Sequence, residues 1–475
     1  MNILMASSEL TPLAHTGGLG DVLEAFPIQL LKRGHKVSLA LPFYRCIRED
    51  KSIKARPTSI TLPVSVGPKR IQAEVFETTL ADGLHIYLIR RDEYFDRSGL
   101  YGADGREYED NAERFIFFQK AVVELAKKVE NKPDVLHCHD WQTGLIPVFA
   151  KEAALGVKTV LTIHNLAYQG SFLGVDFGLT NLPGHYFGAK GVEFFGSLNF
   201  LKAGIVFADV ITTVSERYAH DIQTSEYGCG LENVLREHSR KLRGILNGAD
   251  YETWNPATDK LIGRNYTVTD TTGKTTCRSK LLAGLQLAPN PAGPVFAMVT
   301  RLAEQKGLDL LLPLLDRLLA DDVRLIILGE GESRYERELQ IASRKHATRF
   351  AYRSGWDDNL AHTIEAGADF SLIPSHFEPC GLSAMYSLKY GTLPIARACG
   401  GLHQIIQDFD PTSGAGNGFL FYHYTSEALW DAIGRARRVT GSAAVRASMI
   451  KAAMESDFSW NTAAEEYEKL YARLK

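Results

Sequence analysis

The chain has 475 residues, and a single hydrophobic core stops growing at roughly 250–300 residues, so two domains are expected. Its composition, 45% hydrophobic and 23% charged with a formal net charge of −3, is that of a soluble globular protein, without the basic field that would attract nucleic acid or an anionic membrane. Six cysteines (Cys46, Cys138, Cys229, Cys277, Cys380 and Cys399) show no CxxC spacing, so neither a zinc site nor a disulfide framework is indicated and a reducing compartment fits.

The opening MNILMASSELTP carries no basic segment ahead of an apolar run that ends after six residues. That predicts a first strand over 2–6 and not a signal peptide. No apolar stretch approaches the ~18 residues of a membrane span, and a cytoplasmic location is expected. After a loop ending in Gly17-Gly18-Leu19-Gly20, apolar residues at 22, 23, 26, 30 and 31 predict a helix from about Asp21 to Arg33. Gly34 ends it, and 36-KVSLAL-41 reads as the next strand. This β–loop–α–β unit builds a parallel sheet covered on both faces. The pattern recurs at 134-DVLHCHD-140 with a helix over 142–154, at 158-KTVLTIHN-165, and at 209-DVITTVS-215 with a helix over 216–222. Between 60 and 90 the pattern is less regular and predicts hairpin-like insertions; 94–115 is turn-rich before it becomes helical.

The grammar restarts after the Asn-, Gly- and Pro-rich stretch 246-LNGADYETWNPATDK-260. Strands are expected at 294–301, 323–331 and 369–375, with a helix over 306–320. The fold class is therefore α/β, with two Rossmann-like doubly wound domains and a boundary near residue 250. Ligands of such sheets bind outside the carboxyl ends of the strands, and the site of such chains usually lies in the cleft between domains.

The obvious nucleotide motifs do not fit. From Gly18 the register reads G-L-G-D-V-L, with Leu23 where a dinucleotide fingerprint needs glycine, and 329-GEGESR-334 places Arg334 there. The 273-GKT-275 triplet lacks the first Walker glycine, because position 268 is Val. In 137-HCHD-140, His137 and His139 share one strand face while Cys138 and Asp140 share the other, which argues against a metal site and for Asp140 as a polar residue at the strand end. Gly17 and Gly18 ahead of a helix either let backbone N–H groups approach an anion or serve a turn needing positive φ. Arg301 and Lys306, near a helix start, suit a diphosphate or a solvated surface. A lone acid, Glu378, stands before Pro379, Cys380 and Gly381.

The stretches 8-SELTPLAHTGGLGDV-22, 139-HDWQTG-144, 161-LTIHNLAYQG-170, 199-NFLKAGIVFAD-209, 245-ILNGAD-250, 300-TRLAEQKG-307, 374-PSHFEPCGLSAMYSLKYGTLP-394 and 457-DFSWNTAAEEYEKLY-471 come in one order over nearly the whole chain. Together they resemble the bacterial glycogen synthases and plant starch synthases, retaining glucosyltransferases of the two-Rossmann GT-B architecture. The resemblance implies an acceptor-side domain over 1–250, a donor-side domain over 251–455, and a final helix over 456–475 crossing back to the first domain, with closure of the cleft as a gating step.

It also implies roles. Glu378 holds the hydroxyls of the donor glucose, and Arg301 with Lys306 neutralises the diphosphate. His164 stands beside the anomeric carbon, Asp140 contacts the transferred glucose, and Asn247 lies at the cleft. Trp356 falls where the family has an aromatic residue on the base, a buried core tryptophan being the alternative. Cys380, Gly381 and Leu382 open a helix aimed at the phosphates, and His15, Gly17 and Gly18 line the donor loop. The implied substrates are ADP-glucose and an α-1,4-glucan such as glycogen, with no cofactor, no obligatory metal, no nucleic acid and no membrane.

Two departures bear on the donor. His15 stands where lysine is usual, and His403-Gln404 where Ala-Asp is usual. Weaker donor binding, pH-dependent activity and altered nucleotide preference are the alternatives at His15. A UDP-glucose donor, another acceptor and a non-catalytic glucan-binding homologue therefore stay open as readings. Position 386 is Tyr where related families carry a second glutamate, which favours same-face attack over a double displacement.

Overall fold

In the computed structural model, residues 1–80, 83–103, 105–289, 291 and 293–474 are described. The chain divides into two compact units: Met1–Gly248 together with Trp460–Lys475, and Ala249–Ser459.

The first unit is built on a sheet that has nine strands among the described residues. Their order is Leu242–Gly244, Val210–Thr213, Lys158–Ile163, Val135–His139, Asn2–Ala6, Lys36–Pro42, His85–Arg90, Lys69–Thr79 and Arg56–Val66. The first seven run parallel; for instance Ile3 pairs with both Val37 and Val135. Central strands such as Val135–His139 are buried along their whole length, as expected where helices cover both faces. The insertion between 60 and 90 is an antiparallel hairpin on one edge, Arg56–Val66 with Lys69–Thr79, and its outer strand alternates buried and exposed residues towards its end.

Two helices of this unit differ from the sequence expectation. The first runs Gly18–Lys32, starting earlier because Gly17 supplies an extended cap and the preceding loop folds over the first turn. A Cβ on Gly20 would lie 2.6 Å from His15 Cβ. The helix expected over 142–154 is split into a 3-10 turn, Trp141–Thr143, and a helix, Ile146–Glu152. Thr143 Oγ1 donates to the carbonyls of His139 and Asp140, a local bond that competes with helical continuation, and Gly144 packs against the carbonyl of Phe200.

The closing helix Trp460–Ala472 belongs to this unit and buries Trp460, Ala463, Ala464, Tyr467 and Tyr471, one stripe at helical spacing. Trp460 stacks on Phe26 at 5.3 Å, Tyr467 lies 4.5 Å from the same ring, and Tyr471 Oη is 2.7 Å from His137 Nδ1.

The second unit contains, among the described residues, a six-stranded all-parallel sheet in the order Phe350–Arg353, Arg324–Leu328, Val295–Val299, Phe370–Ile373, Leu393–Arg397 and Phe419–Phe421. The helix expected over 306–320 is broken into Glu304–Lys306, Leu308–Leu311, Leu312–Leu314 and Leu315–Leu319, first at Gly307, which is left-handed with φ +73, and then at Pro313, which has no N–H to continue the ladder. Lys274, from the rejected GKT triplet, is a structural staple. Its ammonium is buried and donates to the carbonyls of Glu365, Ala366 and Tyr390 and to Thr392 Oγ1. Among the described residues no helix is long and apolar enough to cross a membrane, and no three His, Cys, Asp or Glu side chains gather to hold a metal ion.

Candidate active site

In the second unit the polar residues gather at the carboxyl ends of the strands Val295–Val299 and Phe370–Ile373. After the latter the chain enters the loop that carries Glu378. That carboxylate is buried, and its Oε2 accepts hydrogen bonds from Lys306 Nζ at 2.7 Å and Ser375 Oγ at 3.0 Å. Lys306 is held there by backbone ties: His376 N donates to the carbonyl of Gln305, and Gln305 Nε2 donates to that of Phe377. Gly307 follows with φ +73, where a Cβ would fall 2.0 Å from the carbonyl of Pro374. Only glycine lets the two loops approach so closely.

The backbone of Glu378 is pinned from behind. Its carbonyl accepts from Gly401 N at 3.0 Å, and Gly400, with φ +46, passes so near that a Cβ would lie 1.9 Å from the same oxygen. Gly381, at φ +98, caps the helix Leu382–Lys389, whose first N–H groups have no intrahelical acceptor and favour an anion. Cys380 and Gly381 are buried and Leu382 is half-buried. Arg301 is exposed beyond the end of Val295–Val299 and is not brought into the Lys306–Glu378 pair. Trp356 is 57% exposed, which removes the buried-core alternative, and its Nε1 donates to Asp358.

A small cavity of about 20 Å³ adjoins this pair, lined by Thr300, Lys306, Glu365, Ser375, Glu378 and Ser387 among others. Glu365 is a second carboxyl that sequence reasoning missed. Burial raises it to about 7, and its Oε2 has no hydrogen-bond partner among the described residues. An acid on the otherwise buried face of the helix Asp358–Gly367 was the signal available. Tyr386, by contrast, is half-buried and stacked on Trp254 at 4.4 Å and 12°.

In the first unit Asp140 ends the strand Val135–His139 with φ +56 and ψ −172, a backbone conformation rare outside glycine. Its Oδ1 accepts from the backbone N–H groups of His164, at 2.7 Å, and Asn165, at 3.4 Å. The side chain thus orients the peptide that carries His164. Burial pushes Asp140 up to about 7, against the two amide bonds that pull it down. His164 is buried too, and burial lowers it to about 3, so its ring is neutral at physiological pH. Its Nε2 lies 3.0 Å from Nδ1 of His139.

The glycine loop is organised by Glu9, another residue the sequence reading passed over. Its carboxylate accepts from Thr16 N at 2.6 Å, Thr16 Oγ1 at 2.9 Å and Tyr101 Oη at 2.7 Å. Gly17 has φ −179, so a turn needing positive φ does not explain it. A Cβ there would meet nothing within 4 Å, which leaves its backbone open to a ligand. His15 is exposed on the same loop and Gly18 at the start of the helix that follows, while Asn247 is buried, its N–H donating to the carbonyl of Val214.

Residues 2–237 match the starch synthase catalytic domain family, and residues 286–455 match glycosyl transferases group 1. The chain is 43% identical over 477 residues to a glycogen synthase of Opitutus terrae, covering 99% of each chain. It is 42% identical over 481 residues to one of Koribacter versatilis, covering 100% of this chain and 98% of the relative. Among solved structures, the catalytic domain of starch synthase IV from Arabidopsis thaliana, bound to ADP and acarbose, superposes with a TM-score of 0.91 at 31% identity, covering 100% of this chain and 99% of that one. Relatives that match from end to end, together with both halves of the fold, settle the lineage: the chain is a glycosyltransferase of the GT-B fold and belongs to the family of glycogen and starch synthases.

Proposed function

We propose that the protein is a glycogen synthase that transfers glucose, with retention, from ADP-glucose to the non-reducing end of an α-1,4-glucan, working in the cytoplasm without a cofactor or an obligatory divalent metal. The observation that carries this reading is the buried Glu378 carboxylate, bonded to the Lys306 ammonium and Ser375 hydroxyl immediately before the helix that opens at Gly381. A carboxylate suits sugar hydroxyls, and a cation with a helix N-terminus suits a departing diphosphate.

In the transition state positive charge grows on the sugar ring and negative charge on the leaving group. Lys306 and the N–H groups of the helix Leu382–Lys389 are preorganised for the second, which is where electrostatic stabilisation is most effective, and the exposed Arg301 is the further cation for the diphosphate. Asp140 fixes the His164 peptide on the acceptor side, and Trp356 presents an exposed indole to the base. With a tyrosine, stacked on Trp254, in place of a second carboxylate at position 386, same-face attack assisted by the leaving phosphate is favoured over a covalent intermediate. Trapping a glucosyl–enzyme adduct with a fluorinated donor would refute that step.

The choice of ADP-glucose is supported by the bound ADP in the Arabidopsis starch synthase structure, and glycogen as the product by the names of the full-length relatives. The deciding experiment supplies ADP-glucose or UDP-glucose with glycogen and follows released nucleotide, with and without a chelator. Turnover with ADP-glucose that survives chelation, producing α-linked glucan, is expected. Faster turnover with UDP-glucose would replace the donor, and no turnover with either would leave a non-catalytic glucan-binding homologue.

A further inference from the structure

Behind the Asp140–His164 pair lies a stack of buried imidazoles. His139 is 1% exposed; its Nδ1 is 3.0 Å from His164 Nε2, and its own Nε2 is buried with no hydrogen-bond partner among the described residues. His137 lies against it with ring centroids 4.2 Å apart and is itself fixed, with Nδ1 2.7 Å from Tyr471 Oη and Nε2 2.6 Å from Thr162 Oγ1. Burial lowers all three rings well below the ordinary histidine range, so each is neutral and carries one ring hydrogen.

Two neutral imidazoles at 3.0 Å share one hydrogen, and there are two ways to place it. If His164 donates from Nε2, His139 must carry its hydrogen on Nε2, where a buried N–H finds no acceptor. If His139 donates from Nδ1, the orphan is a lone pair. Unpaired buried N–H groups are rarer in proteins than under-used acceptors, so the second arrangement is favoured.

We propose that His139 is a positioning residue that fixes the tautomer of His164. By donating from Nδ1 it keeps the His164 hydrogen on Nδ1, so His164 offers substrate a hydrogen-bond donor, and its Nε2 is occupied and does not serve as a general base. This rests on the reading of His164 as the histidine facing the transferred sugar.

Neutron diffraction from crystals of the full-length protein grown in deuterium oxide reads the tautomer directly. Deuterium on Nδ1 of both His139 and His164 is expected; deuterium on His164 Nε2 overturns the assignment. Three variants test its consequence. In His139→Asn the side-chain amide reaches the Nδ1 position, and kcat is expected within about threefold of the parent. In His139→Gln and His139→Leu that donor is lost, and kcat falls about 10–100-fold, the scale seen when a metal-bound histidine loses its orienting partner, with donor KM moving less. Equal losses in all three variants would make His139 a packing residue and overturn the proposal. Absence of wild-type turnover with either nucleotide-glucose would instead sink the functional reading and leave the neutron result standing.

Discussion

Lys306 Nζ lies 2.7 Å from Glu378 Oε2, joining two residues 72 positions apart in the sequence through side chains that are 17% and 10% exposed. Each supplies what the other needs while buried: the ammonium satisfies the carboxylate, and the carboxylate holds the ammonium at the strand tips. Glu378→Ala is expected to leave the fold intact and lower turnover at least ~100-fold, the scale of losing one preorganised transition-state contact. An unchanged rate would take Glu378 out of the site. Lys306→Met leaves a buried carboxylate short of its cation and is expected to lower stability by about 1–3 kcal/mol in urea unfolding. Combining the two changes should show a coupling energy of about 0.5–3 kcal/mol, and strict additivity would mean the pair is not formed in solution.

The glycines around Glu378 separate a rigid obstacle from a yielding one. A methyl on Gly400 would meet the carbonyl of Glu378 itself at 1.9 Å, and backbone has nowhere to go without moving the loop. A methyl on Gly381 would meet Leu402 Cδ2 at 2.9 Å, the end of a flexible side chain, so its main penalty is the left-handed backbone, about 1–2 kcal/mol. Gly400→Ala is therefore expected to lower kcat by roughly tenfold or more, about 1.4 kcal/mol of barrier, with Gly381→Ala acting chiefly on the melting temperature. Steady-state kinetics and thermal unfolding on both variants check the order, and a fully active Gly400→Ala enzyme would contradict it.

The sheets were legible because a strand buried on both faces leaves a continuous apolar signature, as in 2–6 and 323–331. Helix continuity was not: Pro313 and the Thr143 hydroxyl interrupt helices whose periodicity alone runs on. At the site, Glu378, Lys306 and Asp140 stood out because charge beside an apolar run has no packing use. Their supports did not stand out. Ser375, Gly400 and Glu9 act through neighbours that the fold brings in from elsewhere, and a buried serine or a Gly-Gly pair carries no local mark of what it touches. His139 could be placed on a strand face, but its partner His164, 25 residues on, becomes visible only in the folded sheet.

His15 is exposed on a loop that Glu9 ties down through Thr16, so the backbone there is set independently of the residue at 15. A lysine at this position adds a full positive charge. His15→Lys is expected to bind ADP-glucose more tightly at pH 8. Donor titrations by calorimetry on parent and variant test this. Equal affinities of parent and variant at pH 8 would show that position 15 does not face the phosphates.

Asp140 offers a test whose sign is fixed by its burial. The folded carboxyl titrates at about 7, against about 3.9 in an unfolded chain. Below pH 4 both states are protonated and the group contributes nothing to the pH dependence. Between pH 4 and 7 the folded protein retains a proton that the unfolded chain has released, so stability falls as pH rises through this window. Asp140→Asn removes the titration while its amide oxygen can still accept from the His164 N–H. The stability of the variant relative to the parent should therefore rise from pH 4.5 to 7.5, by at most about 1.4 kcal/mol per pH unit. Turnover should fall most above pH 7, where the parent's carboxyl is ionised and holds the His164 peptide more firmly than a neutral amide oxygen does. A stability difference that stays flat across the window would mean that Asp140 is hydrated in solution and titrates as an ordinary surface acid.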